Sequence, residues 1–99
     1  MIVITGSVVV KDGRLAQALT LSLEHVRRSR LETGCISHAV HQDAEYPDRL
    51  FFFEEWADQV AVTAHFAVPA SRAFVKSLAD LTSAAPKLVM YEAQPINAR

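Results

Sequence analysis

The sequence predicts an α+β fold with the split βαβ order of ferredoxin-like domains, in which helices cover one face of a four-stranded antiparallel sheet. Two observations lead to this prediction. Short segments rich in valine, isoleucine and phenylalanine alternate with segments of helical periodicity, in the order strand, helix, strand, strand, helix in two pieces, strand. No linker, internal repeat or low-complexity stretch interrupts residues 1–99. The chain is therefore expected to form one domain.

The first half of the chain supplies one strand and one long helix. Residues 2–10 are rich in valine and isoleucine, and the polar segment 11–13 ends this strand. From residue 14 to about residue 32, apolar side chains recur at the spacing of an amphipathic helix. Gly34 is expected to end that helix.

The second half begins with a hairpin and continues with two helical pieces. Residues 35–42 and 50–56 are the predicted strands, and the acidic, proline-containing segment between them is the turn. Asp58 is a suitable cap for a short helix, and a further helix follows Pro69. Residues 87–92 are predicted to form the last strand.

Both faces of the predicted sheet are apolar. Phe51 and Phe53 alternate with Phe52 along one strand, so each face receives aromatic side chains. A sheet with helices on one face would expose polar residues on the other face if the protein were a monomer. We therefore expect a homodimer through the sheet face, in which a second subunit covers these side chains.

Composition limits the partners and the compartment. Ten basic and eleven acidic residues give a net charge of −1 and a pI near 6.4, which predicts no attraction to nucleic acid. The apolar N-terminal segment reaches Lys11 and Asp12 too soon to cross a membrane. A single cysteine, Cys35, excludes an internal disulfide framework and is consistent with a cytoplasmic location.

A carboxylate on the most apolar strand is the first candidate for chemistry. Glu54 shares its side of the strand with Phe52 and Trp56. Burial there would raise the pKa of Glu54 and prepare it for proton transfer, which makes Glu54 a candidate catalytic residue. The alternative is that Glu54 pairs with an arginine or caps backbone amides and only stabilises the fold.

His65 is the second candidate catalytic residue. It lies at helical spacing from Ala61, so its side chain is expected to point toward the sheet end that carries Glu54 and Trp56. A neutral imidazole there can accept the proton of a phenol. The alternative is a core histidine that hydrogen bonds to Glu54 or to a main-chain group.

Aromatic side chains are candidates for binding a flat substrate. Their rings would form a wall of the pocket, and a tyrosine hydroxyl would orient the substrate. Aromatic residues in so small a domain also build the core, which is the alternative. The candidate substrate-binding residues are Trp56, Phe52, Phe66, Phe74 and Tyr91.

The sequence lacks the usual patterns for a metal or a bound cofactor. His38 and His41 lie on opposite faces of one strand, and either is expected to contact solvent or a second subunit. The four histidines show no spacing typical of metal ligands, and no glycine-rich phosphate loop occurs. We therefore predict no metal and no cofactor.

Four sequence features occur in a characteristic order: Glu32-x-Gly34-Cys35 at the start of the second strand, Pro47 in the hairpin, Glu54-x-Trp56 at the end of the third strand, and His65 nine residues after the tryptophan. In this order they resemble the antibiotic biosynthesis monooxygenase (ABM) domain family over essentially the whole chain. The resemblance implies a dimeric α+β barrel, a homodimer of ferredoxin-like subunits with a pocket between sheet and helices in each.

The chain departs from the family pattern at positions that bear on activity. Members often have a second histidine directly after a proline, whereas this chain has Pro69 followed by Ala70. Haem-degrading relatives use an asparagine in the first strand and a tryptophan and a histidine in the second helical region. Strand one has no asparagine here, and His65 and Val75 stand about where that tryptophan and histidine would be. Haem degradation is therefore disfavoured.

The function that the resemblance implies is a cofactor-independent monooxygenase, an oxidoreductase that oxidises a small phenolic or quinol-type aromatic substrate with O2. His65, assisted by Glu54, would accept the substrate proton, and Trp56 and Tyr91 would hold the ring. Two alternatives stay open. One is a non-catalytic dimeric module that binds a small apolar molecule or a partner protein. The other is an isomerase or lyase that works by proton transfer without O2.

Overall fold

The computed structural model of the protein describes residues 1–97, which form four strands and three helices. In chain order these are β1 (Ile2–Val9), α1 (Leu15–Ser29), β2 (Cys35–Gln42), β3 (Arg49–Trp56), α2 (Gln59–Ala67), α3 (Pro69–Ala79) and β4 (Lys87–Glu92). All strand pairs are antiparallel, and the order across the sheet is β2-β3-β1-β4. The predicted ferredoxin-like α+β fold is thereby confirmed.

The segment between α1 and β2 turns sharply at Gly34. Helix α1 ends at Ser29, earlier than predicted, and Gly34 then adopts a φ of +84°. A Cβ atom at this position would lie 2.5 Å from the Cβ of Ala61. Gly34 therefore lets the beginning of α2 pack directly against the start of β2. The close approach also brings Glu32 within reach of α2.

Two short helices follow β3. Asp58 caps α2 as predicted, because its Oδ1 accepts a hydrogen bond from the N–H of Ala61 at 2.9 Å. Val68 then has extended backbone, and α3 begins at Pro69, whose missing N–H is tolerated in a first helical turn. His65 consequently lies in the last turn of α2, where its ring packs against β3.

The alternation of side chains along β3 sets the position of the candidate site. Leu50, Phe52, Glu54 and Trp56 are all buried, as expected for residues that share the helix-covered face. Phe52 belongs to a core cluster with residues of α1 and α3, and Trp56 belongs to a second cluster with residues of α2. Glu54 lies between these two apolar clusters on the same strand face.

The opposite face of the sheet is open in the single chain. Val9, Phe51 and Tyr91 lie there and are 40% to 51% exposed. An open apolar face is what the homodimer prediction requires, and the second subunit stays a prediction. Within residues 1–97, no helix combines the length and the apolar composition needed to cross a membrane.

Candidate active site

Glu54 lies at the centre of a buried cluster of polar side chains. Trp56 Nε1 donates a hydrogen bond to Glu54 Oε1 at 2.9 Å, and His38 Nε2 lies 3.2 Å from the same oxygen. Only 7% of Glu54 is exposed. The indole and the imidazole take the place of the arginine or backbone partners that were the sequence-based alternative for this carboxylate.

The pKa of Glu54 is lowered, which corrects the expectation that burial would raise it. Burial does act to raise the pKa of this carboxyl group and is the largest single influence on it. The close contact and charge of His38, the indole N–H of Trp56 and the charge of His65 together outweigh burial. Glu54 is therefore a carboxylate at neutral pH, and it acts as an acceptor rather than as a buried acid.

The ring of His65 contacts Glu32, a carboxylate that the sequence pattern did not place in the candidate site. Glu32 Oε1 lies 2.8 Å from His65 Nδ1. A carboxylate only accepts hydrogen bonds, so Nδ1 carries a proton, and in the neutral ring the lone pair is then on Nε2. Nε2 lies 3.9 Å from Glu54 Oε1, and the imidazole packs 4.5 Å from the Trp56 ring. The side chain therefore points where its helical spacing predicted.

Three buried imidazoles meet beside Glu54. The ring centroids of His25, His38 and His65 are 5.2, 5.5 and 5.7 Å apart. His38 is 2% exposed, which corrects the expectation that it contacts solvent or a second subunit. The reason is the strand register, which pairs His38 with Glu54 and turns both toward the helices. His41 lies on the other face and is exposed.

His25 is a site residue that the sequence pattern did not single out. Its signal was its place on the buried stripe of α1, which the structure shows to consist of Ala18, Ser22, His25, Val26 and Ser29. An imidazole at that helical spacing belongs to the buried face as much as its apolar neighbours do. The cavity beside it could not be located from the helix pattern alone.

Two contacts fix the His25 ring. Arg28 Nη2 lies 3.2 Å from His25 Nδ1, and the Phe74 ring stacks on the imidazole with centroids 4.0 Å apart and planes 6° from parallel. Burial, followed by the charges of His38, His65 and Arg28, lowers the pKa of His25 to about 3. His25 is therefore a neutral imidazole at physiological pH.

An apolar cavity of about 430 Å³ lies between the sheet and the helices. His25, Glu54 and His65 reach its wall, so the two candidate catalytic residues share one pocket. Three of the five candidate substrate-binding residues, Phe52, Phe66 and Phe74, also line it. A cavity of this size and composition suits a small aromatic molecule.

Trp56 and Tyr91 lie elsewhere, which corrects their placement in the pocket wall. Trp56 is fully buried in the core, and its N–H is engaged by Glu54. Tyr91 pairs with Val3 on the opposite face of the sheet and is 51% exposed. Because side chains alternate along a strand, its neighbour Met90 faces the helix side instead.

The three histidines are the only cluster of potential metal ligands in residues 1–97, with one nitrogen of each within 4.8 Å of the others. Ligand nitrogens of a tetrahedral zinc site, with bonds of about 2.0–2.1 Å, are about 3.4 Å apart. A metal-bound histidine normally donates its second N–H to an acceptor, whereas His25 Nδ1 faces the donor Arg28. The contact with Arg28 is thus unlike that of a metal-bound histidine.

A family profile and one curated relative match this chain in sequence. The sequence profile of the antibiotic biosynthesis monooxygenase family matches residues 1–77. The uncharacterized protein sll1783 of Synechocystis is 31% identical over 91 residues, which cover 92% of this chain and 62% of that protein. This chain thus spans less than two thirds of that relative.

Solved structures share the whole fold. A candidate antibiotic biosynthesis monooxygenase from Deinococcus radiodurans has a TM-score of 0.93 and 25% identity, covering 100% of this chain and 99% of that one. The crystal structure of another antibiotic biosynthesis monooxygenase has a TM-score of 0.88 and 24% identity, covering 96% of this chain and 100% of that one.

Fold and site define a class of small ferredoxin-like proteins in which a carboxylate and imidazoles line an apolar cavity between sheet and helices. The profile match extends over most of the chain and includes the strand that carries Glu54 and the helix that carries His65. The chain belongs to the antibiotic biosynthesis monooxygenase family.

Proposed function

We propose that the protein is a cofactor-independent monooxygenase that oxidises a small phenolic or quinol-type aromatic substrate with O2. The observation that carries this proposal is the Glu32–His65 pair, whose imidazole lines the cavity. Its 2.8 Å contact leaves the Nε2 lone pair of His65 available beside an apolar cavity of about 430 Å³. Such a base and such a cavity are the two requirements of a reaction that begins by removing a phenolic proton.

His65 accepts the substrate proton at Nε2 in this mechanism. The imidazolium that forms is positive, and the carboxylates of Glu32 and Glu54 stabilise it from two sides. Glu54 is suited to this role because its lowered pKa keeps it charged. The assistance of Glu54 is therefore electrostatic, and proton transfer belongs to His65.

The phenolate then reduces O2 directly. One oxygen atom bonds to a ring carbon and becomes the second carbonyl of a quinone, and the other leaves as water. The ring C–H and the O–H bond both break, and their hydrogens leave in that water. The substrate supplies all four electrons, so the reaction requires no external reductant. Phe52, Phe66 and Phe74 hold the ring and limit access of water to the anion.

A homodimer and a cytoplasmic location complete the proposal. The open sheet face with Val9, Phe51 and Tyr91 offers apolar side chains that a second copy of the chain would cover. The single cysteine, Cys35, is a free thiol and is consistent with a reducing compartment.

Oxygen uptake by the purified protein with simple quinols and naphthols tests the enzymatic proposal. We expect uptake above the buffer rate, with one O2 consumed per substrate oxidised. His65→Ala should lower the rate about 100-fold or more, whereas Thr63→Ala, at an exposed position of the same helix, should leave it unchanged.

Two outcomes would overturn it. If the quinols or naphthols bind but neither the wild type nor its variants consume O2, the protein is a binding module. If turnover persists under anaerobic conditions, it is an enzyme that works by proton transfer alone.

A further inference from the structure

His25 is a buried polar group at the cavity wall that has no role in the proposed mechanism. Unlike His65, it is oriented by a cation: its one side-chain hydrogen-bond partner in residues 1–97 is Arg28. Its ring is buried, neutral and held flat against Phe74. A fixed neutral imidazole at a ligand cavity can serve as a hydrogen-bond donor to an anion.

The partners of His25 and His65 select opposite tautomers. Arg28 is a donor without any acceptor atom, so the Nδ1 of His25 must accept and its proton must lie on Nε2. Glu32 is an acceptor, so the Nδ1 of His65 must donate, and in the neutral ring its Nε2 carries the lone pair. One imidazole at the cavity is thus fixed as a donor and the other as a base.

We propose that His25 is a second catalytic residue, whose Nε2–H donates to the substrate oxygen that His65 deprotonates, so that the substrate is held as its phenolate. The inference rests on the proposed function for the identity of the substrate. Nitrogens of the two rings lie within 4.8 Å of each other. Because this separation is less than two hydrogen-bond lengths of about 2.8 Å, one oxygen can lie within hydrogen-bond reach of both rings.

The charges around the two rings agree with this division of roles. Arg28 places a cation behind His25, and it also donates to the carbonyl of Ala70 at 3.2 Å, which ties α1 to the start of α3. Glu32 and Glu54 place carboxylates beside His65. The electrostatic gradient favours a proton on the His65 side and negative charge on the His25 side. Arg28 is a positioning residue, because it acts through His25.

The remaining neighbours of His25 keep it neutral while it donates. His38 on β2 and His65 on α2 are imidazoles that oppose a second positive charge, and Phe74 on α3 covers the ring face. The low pKa of His25 follows from burial and these neighbours, and it means that the ring does not become an imidazolium when the substrate proton is released. Of the two imidazoles, only His65 can then accept the substrate proton.

Binding of 4-nitrophenol, followed by the absorbance of its phenolate, tests the proposal without any turnover. At a pH below the pKa of the free phenol, we expect the wild-type protein to bind it largely as phenolate. His25→Leu should lower the bound phenolate-to-phenol ratio about 10- to 100-fold, because one hydrogen bond to a charged oxygen is lost. His25→Gln retains an N–H donor and should restore most of the ratio, and Glu24→Leu, at an exposed position of the same helix, is the matched control outside the cavity.

Nitrogen NMR of the imidazole rings gives a readout that a merely structural role would not change. We expect His25 to carry its proton on Nε2 in the wild-type protein and to lose that tautomer preference in Arg28→Met. The proposal fails if bound 4-nitrophenol ionises equally in wild type and His25→Leu, if the proton is on Nδ1, or if EDTA abolishes the phenolate signal. An absence of oxygen uptake would refute the monooxygenase but leave this binding result intact.

Discussion

Glu32 Oε1 lies 2.8 Å from Nδ1 of His65, so a carboxylate from the loop before β2 orients an imidazole on α2. Glu32 does not line the cavity, whereas His65 does. The carboxylate therefore acts on the substrate only through the imidazole, in the way that an orienting carboxylate supports a histidine base in other enzymes. Gly34 makes the contact possible, because the absence of a side chain lets α2 approach this loop.

Replacing Glu32 should reduce catalysis more than binding. Glu32→Gln keeps an oxygen that can accept the Nδ1 proton but removes the charge that stabilises the imidazolium. We expect kcat for quinol oxidation to fall about tenfold, with KM nearly unchanged, and Glu32→Ala to lower kcat about 100-fold. Glu45→Gln, in the exposed hairpin turn, is the matched control. A parallel rise in KM with unchanged kcat would contradict the orienting role.

Glu54 should make the protein sensitive to acid. Its pKa is lower in the folded than in the unfolded chain, so the stabilisation it contributes is present above its ordinary pKa and is lost as pH falls through the lowered folded value. Urea unfolding between pH 7 and pH 3 measures this loss. Glu54→Gln should be less stable than wild type at pH 7, and the difference should shrink toward pH 3. A constant difference over that range would show that the charge of Glu54 is not involved.

His25 should add a second acid-dependent loss of stability in a different pH range. Its pKa falls from its ordinary value of 6.5 to about 3 in the folded chain, so the unfolded chain binds a proton that the folded chain does not. Stability from this source is lost as pH falls below about 6.5, and the loss stops near pH 3. His25→Gln removes the titrating group and should flatten the dependence of the unfolding free energy on pH between about 6.5 and about 5. An unchanged slope would contradict the shift.

Gly34→Ala should destabilise the fold more than the same change at the other glycine with positive φ. A Cβ at Gly34 would lie 2.5 Å from the Cβ of Ala61, and the φ of +84° adds conformational strain. Gly13 has a φ of +78°, but a Cβ added there would meet nothing within 4 Å, so this position carries the strain alone. We expect a loss of about 3 kcal/mol at Gly34 against about 1 kcal/mol at Gly13 in urea unfolding. Equal losses would show that the contact with Ala61 relaxes freely.

The sequence pattern was sufficient to predict the direction of several side chains at the candidate site. Alternation along one strand placed Glu54, Phe52 and Trp56 on the buried face, and helical spacing turned His65 toward them. These are local rules, in which a side chain's direction follows from its neighbours in sequence. The same rule could not decide which side of β4 faces the helices, because Met90 and Tyr91 are both apolar enough for either side. The register with β1 decides it and places Tyr91 outside.

The partners of the candidate residues could not be predicted because they depend on contacts between distant segments. Glu32 and His65 are 33 residues apart, and His25 meets His38 and His65 only after three elements pack together. The predicted increase in the pKa of Glu54 was wrong for the same reason. Burial can be inferred from an apolar strand, but the His38 and Trp56 donors that overcome it come from the strand register and side-chain geometry.

Phe51 offers the sharpest test of the homodimer. It is 40% exposed on the sheet face that carries Val9 and Tyr91, and it does not line the cavity on the other face. We expect the wild-type protein to sediment as a dimer at micromolar concentration and Phe51→Glu to sediment as a monomer, because a dimer would bury two unpaired carboxylates. Val60→Glu, on the exposed surface of α2, is the matched control and should remain dimeric. A wild-type monomer at this concentration would refute the homodimer, since the apolar sheet face would then be stable in water.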